Sequence, residues 1–256
     1  MFFVNETIYL TFRIAKSASF DVIYLVWCIL RFFHHTLTHQ GGIFMDPKKQ
    51  FYETLATSMI EKFKKRQIDA YYCATKEEAV ALATSMLPPQ ATVGFGGSMT
   101  LTESGMMAAL QNKTDITLYD RSKATTPEET TAIYHQCLNA DYYFMSSNAI
   151  TSDGQLVNID GNGNRVAALI YGPKEVIVMA GMNKVVKTVD EALDRVHNTA
   201  TPANCIRLNK KTPCALTGMC ADCLSPECIC NQVVITRRSG IPGRIKVILI
   251  GEELGY

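Results

Sequence analysis

"ATVGFGGSMTLTESG", residues 91–105, leads an apolar run into a glycine cluster, then into small hydroxyl residues and a helix-forming stretch. A strand that enters such a turn and leaves it as a helix is one step of an alternating β–α chain. Gly94, Gly96 and Gly97 are expected to let the backbone approach a ligand closely and to adopt positive φ. Ser98 and Thr100 add hydroxyl donors, and the helix after them would present free N–H groups to an anion. No Gly-Lys-Ser/Thr follows, so this is not a P-loop, and the third glycine of a dinucleotide fingerprint would fall at Met99. Asp120, at the end of the next strand, stands where a ribose-binding acid is expected, which keeps a damaged dinucleotide reading open. The ligand-free reading is a tight strand-to-helix turn.

The same alternation extends in both directions. Phe51, Leu55, Met59 and Phe63 recur every four residues after Asp46-Pro47, a cap followed by a residue suited to the first helical turn. Residues 68–74 read as a strand. Thr75-Lys76-Glu77-Glu78 is a capping box, and the helix it opens stops before Pro88-Pro89. Residues 91–95 and 115–119 read as strands, with a helix between them to about Leu110. Thr126-Pro127-Glu128-Glu129 opens another helix. Strands are expected over 141–146, 155–159, 175–180 and 244–250, and a helix from Thr188 to about Asn198. The fold class is α/β: a mostly parallel sheet with helices on both faces and ligands at the carboxyl ends of the strands.

The chain has 256 residues, 25 Lys and Arg against 24 Asp and Glu, and 47% hydrophobic residues. Near-neutral charge argues against a nucleic-acid partner, because phosphate neutralisation needs a basic surface. The first 44 residues carry only Glu6 and Asp21 as acids. Their longest apolar run, residues 22–30, falls well short of the roughly 20 residues a membrane span needs. A membrane anchor, a targeting segment and an upstream extension compete there. The extension is preferred, with a folded domain over 45–256 (45–88 its helical opening, 205–232 a cysteine-rich segment) and no firm membrane segment. The expected location is cytoplasmic.

Two further stretches carry chemistry. "NAITSDGQLVNIDGNGNR", residues 148–165, packs Asn, Asp and Gly between apolar strands. Asp160, Asn162 and Asn164 start like a calcium loop, but the pattern fails at Arg165 and Tyr171. It reads either as a hairpin and turn built on Asn-Gly chemistry or as a polar floor facing the glycine loop. In the second reading Asp160 is an acid or base and Arg165 an anion clamp. Glu103 is a second acid/base candidate and Lys184 a second anion partner. "CALTGMCADCLSPECIC", residues 214–230, holds five of the nine cysteines. Cys220 and Cys223 make a half-site for zinc or an iron–sulfur cluster, and Cys214 with either Cys228 or Cys230 could complete four ligands. Thiolates suit both metals. Redox-labile or unligated thiols are the alternative. Cys28, Cys73, Cys137 and Cys205 read as small hydrophobes, and the five histidines as non-ligands.

"VGFGGSMTLTESG", "NAITSDGQLVNIDGNGNRVAALIYGPKEVIVMAGMNKVV" and "RIKVILIGEELGY", in that order over residues 45–256, resemble the LUD-domain family of lactate-utilisation proteins. That family is similar in fold to the NagB/RpiA/CoA-transferase superfamily of sugar-phosphate isomerases and CoA transferases. The resemblance implies that Gly94 to Thr100 faces the block from Asp153 to Arg165 across one ligand; with it, Gly94, Gly96, Gly97, Ser98, Thr100, Asn148, Asn164, Arg165 and Lys184 are the candidates to bind a small anionic ligand. It favours Cys230 as the fourth metal ligand. It further implies oxidation of lactate or a related organic acid with a redox partner protein; the alternative is an isomerase- or transferase-like enzyme on a phosphorylated or CoA-linked substrate, with a structural zinc.

Overall fold

A computed structural model describes residues 46–256. The apolar N-terminal run, Cys28, His34, His35 and His39 lie outside the described residues. Residues Pro47–Tyr256 form one compact unit.

The chain opens with α1 (Pro47–Lys65), β1 (Asp69–Cys73), α2 (Lys76–Ser85) and β2 (Thr92–Phe95). It continues through α3 (Met99–Glu103), α4 (Met106–Asn112), β3 (Thr117–Tyr119), α5 (Pro127–Leu138) and β4 (Tyr142–Met145). Then come β5 (Ala149–Thr151), β6 (Leu156–Asp160), α6 (Asn164–Ile170), β7 (Glu175–Gly181) and β8 (Val185–Val186). The last elements are α7 (Val189–Arg195), α8 (Thr201–Arg207), α9 (Pro213–Thr217), β9 (Gln232–Thr236) and β10 (Ile245–Ile250). The capping boxes act as expected: Thr75 accepts from the Glu78 N–H, and Thr126 from that of Glu129.

Six strands in the order β1-β10-β7-β4-β2-β3 form one sheet, and every pairing in it is parallel. Its two faces fill two cores. Along β7, Val176, Val178 and Ala180 enter the core that also holds Met59 and Phe63 of α1. Ile177 and Met179 enter the other, with Ala79 and Ala83 of α2 and Leu101 and Leu110 beyond. This period of two, with both sets buried, is why the central strands read as unbroken apolar runs.

Several expectations need correction. Phe51, placed on the buried stripe of α1, is exposed. The helix after the glycine loop is two short helices, broken at Gly105 with φ +85°. The helix from Thr188 does not end near Asn198; a π-turn over Val196–Ala200 carries it on into α8. β5, β8, β9 and α6 are additional elements. Antiparallel pairing of β5 with β6 and of β6 with β9, plus a parallel β5–β8 pair, makes a second, four-stranded sheet. It packs on α7 through Ala149, Val157, Ile159 and Ala192. Among the described residues no helix is long and apolar enough to cross a membrane.

Candidate functional site: a cationic cavity at the strand ends

The carboxyl ends of four neighbouring strands converge. β2 runs into Gly96-Gly97-Ser98, β3 into Asp120-Arg121, β4 into Ser146-Ser147-Asn148, and β7 into the single turn that carries Lys184. Parallel strands deliver their loops to one rim, which is where open α/β sheets bind ligands. A cavity of about 580 Å³ lies there, lined by residues of all four loops and closed on the far side by α8 and residues 226–231. Its charged lining is Arg121, Arg165, Lys184, Arg207 and Lys210 against Asp160 and Glu227. The excess of basic over acidic side chains gives the cavity a positive field.

The glycines serve close approach. None of Gly94, Gly96 and Gly97 has positive φ, against expectation. A Cβ on Gly94 would lie 2.7 Å from Cys137 Sγ, so this glycine seats α5 on the strand. One on Gly96 would press on Arg165 and the Tyr143 hydroxyl, both at 3.2 Å. One on Gly97 would overlap the Arg121 guanidinium. Gly97 and Ser98 line the cavity. The Ser98 hydroxyl accepts from the Leu101 N–H as a cap of the five-residue α3. Thr100 is fully buried and donates to the Leu254 carbonyl, so it is no anion donor in this arrangement.

Arg165, expected as the clamp, has its donors committed. Its Nη1 donates to the Ser146 carbonyl and to Asn158 Oδ1, and its Nη2 to Asn148 Oδ1 and the Ile159 carbonyl, both at 2.9 Å. Its Nε lies 3.3 Å from Asp160 Oδ2. The other Asp160 oxygen accepts from the Gly163 N–H. Arg165, Asp160 and Asn148 therefore hold the floor rigid, and Asn164 lines it as the first residue of α6. Burial lowers the pKa of Arg165, and Asp160 opposes that shift. Glu103 is not among the residues lining the cavity; its carboxylate accepts from the Gly255 N–H at 2.6 Å. Asp120 is spent on the Ser122 N–H and hydroxyl, capping the turn after β3, so it is no ribose acceptor here.

Lys184 is 4% exposed, and its Nζ donates to Thr100 Oγ1 at 2.8 Å and Ser146 Oγ at 3.2 Å. Burial pulls its pKa down to about 7; the charges of Arg195 and Arg165 add to the shift, and Glu103 weakly opposes it.

The sequence reading missed Arg121. Its guanidinium stacks 5.7 Å from the Tyr134 ring centre and lies against Gly97. No carboxylate among the described residues pairs with it within 4 Å. Nothing local in the sequence marks it; the fold alone brings the end of β3 beside the end of β2.

The cysteine segment forms the neighbouring region. Cys214 Sγ is 3.3 Å from Thr212 Oγ1, Cys220 Sγ 3.5 Å from His197 Nδ1, Cys223 Sγ 3.6 Å from Ser225 Oγ, and Cys230 Sγ 3.6 Å from Thr201 Oγ1. Each of the four proposed ligands thus has its own partner. Among the described residues no three of His, Cys, Asp and Glu converge as a metal site, so the four thiols do not fit one ion as they stand. Cys73 and Cys137 are buried in the two apolar cores, as expected. Cys205, read as a small hydrophobe, is buried and lies beside Cys214. His197, read as a non-ligand, is the thiol neighbour of Cys220.

Fold and site together define an α/β protein with a cavity, lined mainly by basic side chains, at the carboxyl rim of a parallel sheet. The sequence profile of the LUD domain matches residues 56–250, and the chain belongs to that family. No curated protein matches the sequence. Among solved structures, a DUF162 family protein from Deinococcus radiodurans aligns over 78% of this chain and 98% of its own, at 14% identity and a TM-score of 0.44. The eIF2B delta protein from Chaetomium thermophilum aligns over 56% of this chain and 55% of its own, at 15% identity and a TM-score of 0.33.

Proposed function

We propose that this LUD-domain protein works in the cytoplasm in the utilisation of lactate or a related organic acid, whose carboxylate it binds beside Gly97 and Ser98. The observation that carries this reading is the uncommitted Arg121 guanidinium lying against Gly97 on the cavity wall. Arg165 contributes charge from below, and Arg207 and Lys210 extend the positive field to the far wall. Arginine suits a carboxylate because its planar fork matches the two oxygens. The acid/base roles expected of Glu103 and Asp160 do not fit their present partners. A panel of lactate, pyruvate, phosphate and coenzyme A in a thermal-shift titration tests the proposal. Small carboxylates are expected to stabilise the wild type and to lose that effect in Gly97→Asp, whose side chain would push Arg121 aside. Folded Gly97→Asp protein that responds like the wild type would refute it.

The cavity volume supports the second reading, a phosphorylated or CoA-linked substrate. About 580 Å³ is within the range that holds a drug-sized ligand and is roomy for a three-carbon acid. Coenzyme A as the strongest stabiliser in the same panel would favour it. For the thiol segment the proposed role is a docking face for a redox partner: Leu216, Met219 and Leu224 stand exposed among the cysteines. A zinc or iron–sulfur centre at Cys214, Cys220, Cys223 and Cys230 would require those sulfurs to leave their present partners. Metal analysis and an absorption spectrum of anaerobically purified protein, repeated on Cys223→Ser, test for it.

A further inference from the structure

We propose that Lys184 is a catalytic amine that forms an imine with a small carbonyl compound carrying an anionic group. The class preferred is a 2-oxo acid. This inference rests on the anion-binding reading of the cavity and adds a covalent step to it.

The argument begins with donors and acceptors. The Thr100 hydroxyl donates to the Leu254 carbonyl, and the Ser146 hydroxyl to the Ser147 carbonyl. Each hydroxyl oxygen is then an acceptor toward Lys184, and Nζ donates to both. In the neutral form those two bonds use both amine hydrogens and leave the lone pair uncommitted. Among the described residues these are the only two acceptors bonded to Nζ, and no carboxylate lies within 4 Å to hold an ammonium there. The charged groups that face it are Arg195 and Arg165, which disfavour a further positive charge, and Glu103, whose carboxylate is bonded to the Gly255 N–H. Lys184 therefore sits on the cavity wall between two hydroxyl acceptors, away from any carboxylate partner and beside two arginines, a setting in which a substantial neutral, nucleophilic fraction exists at pH 7.

The same cavity offers what the rest of such a ligand needs. Arg121 beside Gly97 would take the anionic group. The Tyr256 hydroxyl, on the cavity wall, is buried and has no partner among the described residues. A carbonyl oxygen would supply the missing acceptor. In the reaction the Nζ lone pair attacks the carbonyl carbon and the C=O π pair moves to oxygen, giving a carbinolamine. The two amine hydrogens leave with that oxygen as water, and a C=N bond replaces the C=O bond. No oxidant or reductant is needed.

The test uses the full chain equilibrated with pyruvate, quenched with borohydride and mapped by peptide mass, beside a heat titration of pyruvate binding. A second arm uses dihydroxyacetone phosphate. The expected result is one reduced adduct, on Lys184. At pH 7 it should form ~10-fold or more faster than on any other lysine, since ordinary lysines are almost wholly protonated there. Lys184→Met should bind the anion and form no adduct. An adduct with pyruvate supports the 2-oxo acid class; an adduct with dihydroxyacetone phosphate alone supports the amine and overturns that class. Binding heat with label scattered over surface lysines and none on Lys184 overturns the covalent proposal and leaves the anion cavity standing. Neither heat nor adduct in either arm overturns both. The wild-type map decides these outcomes even if Lys184→Met fails to fold.

Discussion

Arg165 and Arg121 stand on opposite sides of the glycine loop, and their surroundings could hardly differ more. Arg165 sits under the cavity floor with both terminal nitrogens donating to the protein and its Nε beside Asp160. Arg121 stacks on Tyr134 at the rim and pairs with no carboxylate of the described residues. A guanidinium whose donors are all taken can shape a site and supply charge, but it cannot grip a ligand without breaking what it already holds. One left with open donors beside a glycine is arranged to grip. The difference separates an arginine built into the floor from one with open donors, and the clamp expected from the sequence, Arg165, is the committed one.

Substitutions should expose that difference. Arg165→Met leaves Asp160 buried without its cation and removes one of the two donors to each of the Asn148 and Asn158 side-chain oxygens, which keep the Ile159 and Asn148 N–H groups. It is expected to cost about 3–5 kcal/mol of stability, seen as a large fall in Tm or as insoluble protein. Arg121→Met removes only a stacked surface cation and should change stability by no more than about 0.5 kcal/mol. Equal stability losses in the two variants would erase the distinction.

Away from the cavity, Asp141 ties β2 to β4 by accepting from the Thr92 N–H and hydroxyl, with Lys174 beside it. The hydrogen bond from Lys174, and then those from Thr92, hold the Asp141 carboxyl down to about 2 from its ordinary 3.8. Because the folded state depresses this pKa, the stabilisation is full above about pH 4 and is lost as pH falls through about 2. The Lys174 ammonium is well exposed, so screening reduces the contribution to about 1 kcal/mol. Asp141→Asn should lower neutral-pH stability by that amount, and the gap to wild type should close in acid, as urea titrations at a series of pH values would read.

The thiols offer a finer contrast between the rim and its neighbour. Hydrogen bonds from Ser225 lower the pKa of Cys223, whereas burial pushes Cys230 up to about 11. Iodoacetamide at pH 7.5 should alkylate Cys223 first and Cys230 among the last, as peptide mapping over time would show. The reverse order would mean that the segment adopts a different arrangement in solution.

The sequence made much of this architecture legible, for local reasons. Thr75 and Thr126 announce their helices through capping boxes, and the paired cores on either side of the main sheet make β4, β7 and β10 apolar except for Glu175 and Lys246 near the start of two of them. The second sheet was harder to read. β5 and β8 are three and two residues long, and β9 alternates around exposed Val233 and Ile235, as an edge strand does. α6 was hidden because Gly163 caps it from a left-handed conformation inside what looked like one polar turn. The glycine loop and Arg165 were visible as unusual residues, but whether an arginine has free donors depends on its tertiary neighbours. Arg121 follows a capping aspartate and looks like any surface cation until β3 is laid beside β2.

The most direct test of the anion cavity is a heat titration of pyruvate into wild-type protein and into Arg121→Met at low salt. A charge-assisted hydrogen bond is worth about 1.5–3 kcal/mol, so the variant should bind roughly 10- to 100-fold more weakly at unchanged Tm. Equal affinity in the two proteins would contradict the account, because the ligand would then be held somewhere other than beside Gly97.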